Sequence, residues 1–412
     1  TYMEEKKERK MRDSGIPWIG EVPEGWEFSK IKYHCTMKSG DNITALDISD
    51  NGEYPVYGGN GLRGFYKIYN KNGNHILIGR QGALAGNVHL VNGKFWATDH
   101  AVIVTLKNDV FINYFFRMLE SMNLNQYAFD TAAQPGLSVS RIMNLNIVLP
   151  NLKEQHRIAD FLGSKCSEID TLIEHLRARM ESAKEYKKAV ITEAVTKGLD
   201  KDAKMKDSGV EWIGEIPDGW KVVRFKHIAS IKSNLVQPDK YMKYPQIAPD
   251  NIEKDTGRLL SHQTVEESGV ISGNHLFYRG QILYSKIRPN LNKLTVAPFD
   301  GLCSADMYPI ESKLPTLFMV YSMLSTYFVS QVSLIIQDRV KMPKINQEEL
   351  GEIKVAVPSQ QEMLTIADYL DSKCSEIDAL LQNYEYQIAT LEEYKKSLIY
   401  EYVTGKKEVP EA

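Results

Sequence analysis

The sequence predicts an α+β protein: two α/β domains separated by a long antiparallel two-helix coiled coil, with a pseudo-twofold internal duplication. Three observations support this fold class. One sequence frame occurs twice, two segments carry a sustained heptad pattern, and the stretches between them contain short β-branched runs bounded by Gly, Asn and Pro. A chain of 412 residues is long enough for two or three separately cored domains.

The duplication is visible at two places in each half of the chain. MRDSGIPWIGEVPEGW at 11–26 returns as MKDSGVEWIGEIPDGW at 205–220, with 11 of 16 positions identical. SKCSEID at 164–170 recurs unchanged at 372–378. The offsets are 194 and 208 residues, so the inserts between the frames differ by 14 residues. A period near 200 indicates duplicated domains, because solenoid repeats are about 20 to 50 residues long.

The SKCSEID frames lie in segments with the apolar spacing of a coiled coil. Steps of four and three alternate over more than four heptads in each copy, interrupted once by an equivalent lysine, Lys187 or Lys395. Two amphipathic helices packed on separate cores are the alternative, but a seam in both copies favours pairing with each other. The seam residues are Leu162, Cys166, Ile169, Ile173, Leu176, Met180, Ala183, Val190 and Ala194, then Leu370, Cys374, Ile377, Leu381, Tyr384, Ile388, Leu391, Leu398 and Tyr402.

Each long helix has a predicted start. Asn151 with Glu154, and Ser359 with Glu362, place a capping side chain three residues before an acid, directly after a proline. We therefore expect helices to begin near residues 152 and 360.

Connectivity favours antiparallel helices. A helix from Leu162 to Val195 is about 50 Å long at about 1.5 Å per residue. Only residues 196–211 join it to Trp212, so a parallel partner would require a nearly fully extended return. Antiparallel pairing needs no return and places one insert at each end of the coil.

The inserts predict α/β domains. HILIG (75–79), AVIVTL (101–106), QILYSKI (281–287) and KLTVA (293–297) are β-branched or alternating runs that predict strands. A helical stretch follows in each insert, at 110–122 and at 316–332.

Composition argues against several classes of protein. The four cysteines are scattered without a CxxC pair, so neither a metal site nor a disulfide framework is predicted. No apolar run approaches the ~20 residues that span a bilayer, and the charged first residues lack a signal-peptide core. We therefore expect a cytoplasmic protein. A net charge of −3 means that any nucleic-acid surface must be local.

A glycine-rich segment, Gly59–Gly64, matches the GxGxxG pattern of dinucleotide-binding loops. It is followed by the strand-like FYKIY, and no acid occurs until Asp99, whereas a dinucleotide loop must open a helix. A hairpin turn is therefore predicted. Because P-loop, HExxH, GxSxG and amino-methyltransferase motifs are absent from the sequence, we predict no catalytic residue and no cofactor on this chain.

Two windows without acidic residues, 54–98 and 268–299, carry basic and amide side chains. Arg, Lys, Asn and Gln read purine edges or hold phosphates, so these windows predict a DNA-binding surface. Solvated loops depleted of acids by chance are the alternative. The candidates are Asn60, Arg63, Lys67, Arg80, Gln81, Asn87, Lys286, Arg288, Asn290, Asn292 and Lys293, with Gln134, Ser138, Arg339 and Lys341 after the helix of each domain.

Several segments carry a resemblance to a known family. They are the WIGEVPEGW and WIGEIPDGW motifs, GRQGALAGNVHL (79–90), QPGLSVSRI (134–142), LPNLKEQHRIADFL (149–162) and its counterpart VPSQQEMLTIADYL (357–370). In these segments the chain resembles the DNA specificity subunit of type I restriction-modification systems, over nearly its whole length. The second insert departs from the pattern, with DRVKMPKINQEEL (338–350) where the first has AQPGLSVSRIMNL.

The resemblance implies a non-catalytic subunit that reads a bipartite double-stranded DNA target. It implies target-recognition domain 1 at 1–150, a coiled-coil helix at 151–197, a linker and target-recognition domain 2 at 198–358, and a second coiled-coil helix with a C-terminal tail at 359–412. Its implied partners are two methyltransferase (modification) subunits that use S-adenosylmethionine and two restriction subunits that use ATP and magnesium. A stand-alone nuclease or methyltransferase, and a coiled-coil tether that does not read DNA, are the alternatives.

Overall fold

The computed structural model describes residues 9–81, 85–129, 136–339 and 341–410. Contacts between Cα atoms divide the chain into two compact units. The first comprises Thr1–Leu176 with Tyr386–Ala412, and the second comprises Arg177–Glu385. Each unit therefore contains one of the two divergent inserts and a part of both long helices.

Short strands and helices form the insert of the first unit and its flanks. The strands are β1 (Met11–Asp13), β2 (Glu21–Pro23), β3 (Glu27–Lys30), β4 (Cys35–Ser39), β5 (Tyr54–Gly58), β6 (Gly61–Tyr66), β7 (Lys71–Asn72), β8 (His75–Gly79), β9 (Val88–Val91), β10 (Lys94–Ala97), β11 (Ala101–Leu106), β12 (Ala128–Phe129), β13 (Gly136–Leu137) and β14 (Asn146–Leu149). The helices are α1 (Ile31–His34), α2 (Ile112–Ser121) and α3 (Val139–Met143), with 3-10 turns at Ala45–Asp47 and Leu124–Tyr127.

Two four-stranded sheets organise this unit, in the orders β4-β11-β8-β9 and β6-β5-β10-β7. The predicted strands HILIG and AVIVTL are β8 and β11, paired antiparallel with Ala101 opposite Gly79. Alternate side chains of β8 enter two different cores: Ile76 and Ile78 pack in the main core, while Leu77 packs with Phe95 in a smaller one. Burial of both faces explains why these strands are continuously apolar rather than alternating.

The second unit has its own strands and helices. The first long helix, α4 (Leu152–Lys197), precedes β15 (Met205–Asp207), β16 (Glu215–Pro217), β17 (Lys221–Arg224), α5 (Phe225–Ile228), β18 (Ala229–Ile231), β19 (Leu235–Val236), β20 (Pro245–Ile247), β21 (Gln263–Thr264), α6 (Val265–Ser268), β22 (Asn274–Phe277), β23 (Ile282–Ser285), β24 (Leu294–Val296), β25 (Gly301–Cys303), β26 (Met307–Ser312), α7 (Thr316–Leu324), α8 (Thr326–Ile336), α9 (Gln347–Glu352), β27 (Lys354–Val357) and the second long helix, α10 (Gln360–Val403). The 3-10 turns are Pro238–Lys240, Pro249–Asn251 and Pro289–Leu291.

The sheets of the second unit have the orders β18-β26-β23-β24 and β19-β22-β25-β20-β21. Strands β23 and β24 confirm the predicted strands at 281–287 and 293–297, shortened at their ends. The same two-sided burial recurs, because Ile282 and Tyr284 join the main core and Leu283 joins a smaller one.

The helical stretch predicted at 316–332 is present as two helices, α7 and α8, bent by 59°. Ser325 between them is extended, with φ −67° and ψ 152°, and the Thr326 amide donates to Thr192 Oγ1 at 2.9 Å. Within the residues the structure describes, a helix that could cross a membrane alone does not occur, and this bent pair meets that test only by length and composition.

Both long helices begin where the capping pattern predicts. The Glu154 amide donates to Asn151 Oδ1 at 3.0 Å, and the Glu362 amide donates to Ser359 Oγ at 3.3 Å. Each cap satisfies one of the backbone amides that a helix start leaves without a partner.

The two lysines that interrupt the apolar seam are ion-paired. In the second unit Lys187 Nζ lies 2.7 Å from Asp378, and in the first unit Lys395 Nζ lies 2.6 Å from Asp170. Both aspartates are the last residue of a SKCSEID frame, and both lysines belong to a second repeated motif, EYKK, at 185–188 and 393–396. The repeated aspartate and lysine therefore make the same interaction in each unit.

Candidate nucleic-acid interface

Three chain segments of the first unit converge at the end of β8. The Arg80 amide donates to the His100 carbonyl at 2.9 Å, and the Leu137 amide donates to the Arg80 carbonyl at 2.9 Å. Gly59 lies against the same backbone, because a Cβ there would be 3.1 Å from the His100 carbonyl oxygen. Residues that are far apart in sequence therefore meet at one edge of the unit.

The glycine-rich segment is the hairpin that the sequence predicts. Gly58 and Gly61 form the closing pair of β5 and β6, so Gly59 and Asn60 are the two-residue turn. Gly61 has φ +91°, which favours glycine. The turn reaches the convergence point, where Asn87 Nδ2 donates to Asn60 Oδ1 at 3.3 Å.

Most candidates of the first unit lie around this point. Asn60, Arg63, Arg80 and Gln81 are exposed. Arg80 Nη1 donates to Ser39 Oγ at 3.2 Å, which orients the guanidinium on the surface.

The other three candidates of the first unit differ in their surroundings. Ser138 is half-buried, and its Oγ caps α3 by accepting from the Arg141 amide at 3.4 Å. Lys67 is exposed but follows the far end of β6, about 20 Å from Gly61 at about 3.3 Å per residue. The structure therefore does not bring Lys67 to the convergence point. Gln134 lies outside the described residues.

The second unit repeats the backbone hydrogen bonds of this site. The Lys286 amide donates to the Asp306 carbonyl at 2.9 Å, and the Ile345 amide donates to the Lys286 carbonyl at 3.0 Å. Met307 lies opposite Ser285 in β26 and β23, as Ala101 lies opposite Gly79 in the first unit. Lys286 therefore occupies the position of Arg80.

Further correspondences follow from the strand pairing. The Gly79 amide donates to the Asn87 carbonyl and the Ser285 amide to the Lys293 carbonyl, both at 2.9 Å, so Asn87 corresponds to Lys293. The side-chain contacts differ in kind, because Asn87 donates to an amide whereas Lys293 Nζ lies 3.6 Å from the Asp250 carboxylate.

Residues 338–350, which differ in sequence from AQPGLSVSRIMNL of the first insert, can be aligned with it by structure. Asn346 caps α9 by accepting from the Glu349 amide at 2.8 Å, as Ser138 caps α3. Asn346 therefore corresponds to Ser138, and Ile345 corresponds to Leu137. Both pairs are 208 residues apart, which is also the offset between the two SKCSEID frames.

Four candidates of the second unit remain at or near its surface. Arg288, Asn290 and Lys341 are exposed. Lys286 is half-buried, with its ammonium 5.3 Å from the centre of the Tyr308 ring. Their positive charge and amide groups are the chemistry that phosphates and base edges require.

The prediction that Asn292 contacts DNA bases is wrong. It is 1% exposed, and its Nδ2 donates to the Met323 carbonyl at 3.1 Å. Its backbone has a positive φ of +42°, and sequence position alone reveals neither this conformation nor the burial.

Arg339 and Lys293 are also engaged within the protein. Arg339 Nη1 donates to Glu349 Oε2 at 3.1 Å, and the guanidinium lowers the pKa of Glu349 by hydrogen bonding. Lys293 Nζ donates to the Pro249 carbonyl at 2.9 Å. Both side chains therefore have partners within the protein, and their contact with DNA stays a prediction.

The charge windows missed residues that the fold adds to the site. In the first unit these are Ser39 and His100, and in the second they are Lys344 and Gln347. Lys344 Nζ lies 3.3 Å from Asp306, and Gln347 Nε2 donates to Ser233 Oγ at 2.7 Å. All four lie outside the acid-free windows. Of the four, only His100 had a sequence signal, because it directly precedes the predicted strand at 101–106.

Burial favours the neutral form of two thiols and one imidazole. Burial raises the pKa of Cys35 to about 12 and that of Cys374 to about 11, and burial lowers the pKa of His89 beside the hairpin turn. Among the described residues, clusters of three or more His, Cys, Asp or Glu side chains able to hold a metal are absent.

Comparisons with known proteins find similar sequences and a similar fold. A family profile described as type I restriction modification DNA specificity domain matches residues 23–181. The chain is 34% identical over 267 residues to the Escherichia coli type I restriction enzyme EcoDI specificity subunit, which covers 60% of this chain and 60% of that protein. It is 27% identical to the Methanocaldococcus jannaschii MjaVIII specificity subunit over 93% of both chains.

A solved structure has a fold similar to that of this chain. A chain from a study of complex assembly and conformational transition of the type I R-M system superposes with a TM-score of 0.66, covering 94% of this chain and 99% of that one. Its sequence identity is 15%, so it shows the fold alone. Over the stretches matched, the chain is similar to specificity subunits of type I restriction-modification enzymes.

Proposed function

We propose that this chain reads a bipartite DNA target as the specificity subunit of a type I restriction-modification complex. The observation that carries the proposal is that each unit brings much of its acid-free window to one edge through the same backbone hydrogen bonds. Similarity to the EcoDI subunit supports it over the 60% of that protein that the chain matches.

The proposed architecture is an internal duplication. Residues 1–150 and 198–358 form two target-recognition domains, and 151–197 and 359–412 supply the helices of an antiparallel coiled coil. The ion pairs support antiparallel pairing. Asp170 of the first long helix pairs with Lys395, whereas Lys187, later in the first helix, pairs with Asp378, which lies earlier in the second.

Base reading is assigned to the exposed groups at the convergence points. Arg80, Gln81 and Asn60 in the first domain, and Arg288 and Asn290 in the second, carry the guanidinium and amide groups that pair with guanine or adenine in the major groove. Lysines and the remaining arginine hold phosphates, which position the protein without specifying sequence. The residues proposed to contact phosphates are Lys67, Lys286, Lys341 and Arg63.

Chemistry belongs to partner subunits in this proposal. Two methyltransferase subunits use S-adenosylmethionine, two restriction subunits use ATP and magnesium, and this chain contributes target choice in the cytoplasm. Its net charge of −3 leaves the isolated chain with weak affinity for DNA, so the partners should tighten binding.

Methylation of a random DNA library tests the proposal. The chain is assembled with a cognate methyltransferase subunit and S-adenosylmethionine, and methylated adenines are mapped by sequencing. We expect a two-part motif that disappears when this chain is omitted. Methylation or cleavage by the purified chain alone would indicate a stand-alone enzyme. An assembled complex that methylates without sequence preference would indicate a tether.

A further inference from the structure

The second domain contains an unusual concentration of left-handed backbone. Among the described residues, five non-glycine residues have positive φ, and three of them are Arg288 (43°), Asn292 (42°) and Met342 (46°). L-residues adopt this conformation rarely, and it persists where surrounding contacts enforce it, often at functional sites.

These residues lie in two segments that are bonded to each other. The Arg288 amide donates to the Pro343 carbonyl at 2.7 Å, one residue after Met342, and the Ile345 amide donates to the Lys286 carbonyl. Within the loop, the Leu291 amide donates to the Arg288 carbonyl at 2.9 Å and the Asn292 amide to the Pro289 carbonyl at 3.0 Å. The backbone of Arg288–Asn292 is therefore fixed at several points.

Asn292 anchors this loop to the helical layer. Its Nδ2 donates to the carbonyl of Met323, which lies in the last turn of α7. Because α7 ends at Leu324, that carbonyl is one of those that a helix end leaves without an intrahelical partner. The break between α7 and α8 thus creates the acceptor that holds the loop.

The loop exposes two side chains suited to reading DNA. Arg288 and Asn290 are exposed, while Pro289 and Asn292 are buried. Lys286 and Lys344 flank the loop and provide positive charge for the phosphate backbone.

We propose that the loop Arg288–Asn292 is a rigid reading element of the second domain, in which Arg288 and Asn290 determine specificity and Asn292 is a positioning residue. This inference rests on the proposed function. A reading group held in one geometry discriminates bases better than one on a mobile loop, because its ordering cost is met before DNA binds.

Methylation rates of defined duplexes test the inference. In the assembled complex, the half-site read by the second domain is the half that stays unchanged when residues 27–148 are exchanged for those of a relative. The measured quantity is the rate on the preferred duplex divided by the rate on each single-base variant of that half-site. Asn292→Gly is the principal variant, because glycine keeps the positive φ and removes only the amide anchor.

We expect Asn292→Gly to lower this ratio at least tenfold at one or two positions and to leave the first half-site unchanged. Asn123→Gly is the matched control: Asn123 also has positive φ, at 49°, but is exposed, and its substitution should change neither half-site. If Asn292 acts through the reading side chains, Asn292→Gly should add less than a twofold effect in an Arg288→Ala/Asn290→Ala background.

Two results would overturn the inference while leaving the proposed function intact. They are an unchanged ratio in Asn292→Gly, and a rate that falls equally on every duplex, which indicates a structural role. If Asn292→Gly does not fold, the surface variants Arg288→Ala and Asn290→Ala decide, and wild-type discrimination in both rejects the loop. A wild-type complex without any sequence preference would instead refute the proposed function.

Discussion

The ion pair between Lys187 and Asp378 predicts an asymmetric response to mutation. Lys187 is buried in the apolar seam, with its side chain 11% exposed, whereas the Asp378 side chain is 49% exposed. Asp378→Asn leaves a buried ammonium without a counter-charge, while Lys187→Met leaves a carboxylate that water can solvate. The two changes break the same contact but should differ in cost.

The magnitude follows from the burial of each partner. Removing one partner of a fully buried pair costs about 3–5 kcal/mol, and exposed pairs contribute about 0–1 kcal/mol. Because only the lysine is buried, we expect Asp378→Asn to cost about 2 kcal/mol. For a unit of this size that lowers the melting temperature by about 4–8 °C. Lys187→Met restores an apolar seam residue and should be neutral or stabilising.

Scanning calorimetry of the full chain measures both variants. The equivalent pair in the other unit is the control: Lys395 is more exposed, at 21%, so Asp170→Asn should cost less than Asp378→Asn. A Lys187→Met variant that melts as low as Asp378→Asn would refute the reasoning, because it would show that the seam needs the lysine itself.

Three further predictions concern reading and reactivity. Arg80→Ala should cost about 1–3 kcal/mol of discrimination at one position of the first half-site, whereas Lys67→Ala should weaken binding to all sequences about equally. Competition binding by the assembled complex against single-base variants measures both effects. An Arg80→Ala variant that weakened binding to every sequence equally would contradict the assignment. Exchanging residues 27–148 for those of a relative should change one half of the methylated motif, as mapped by sequencing; a change in both halves would contradict independent reading. All four cysteines are free and buried, with the pKa of Cys35 raised to about 12 and that of Cys374 to about 11, so an aromatic disulfide reagent at pH 8 should label them only after denaturation. Rapid labelling of the native chain would contradict their burial.

Local patterns in the sequence predicted local structure well. The capping pairs before both long helices, the strands HILIG and AVIVTL, and the hairpin at Gly59–Asn60 are all present. Each depends on neighbouring residues, whose spacing is printed in the sequence. The helical stretch at 316–332 is also present, but its apolar run is continuous and does not reveal the break at Ser325, beside which the Thr326 amide bonds to Thr192, a residue far away in the sequence.

The candidate site was predicted only in part. Acid-free windows identified Arg80, Gln81 and Arg288, which are exposed, but also Asn292, which points into the interior. Composition counts charges and amides along the chain and carries no information on which face a loop residue takes. Lys344 escaped notice because it reaches the site through strand pairing rather than through proximity in sequence.

By itself, the sequence determined the duplication, the heptad seam and the resemblance to a family, because repeated letters and periodic spacing need no three-dimensional context. Only the tertiary structure decided that Arg80 corresponds to Lys286 and Asn87 to Lys293, since those pairs share backbone hydrogen bonds but no side-chain chemistry. Backbone hydrogen bonding is nearly independent of side-chain identity, so two inserts can keep one scaffold while the side chains that it displays diverge.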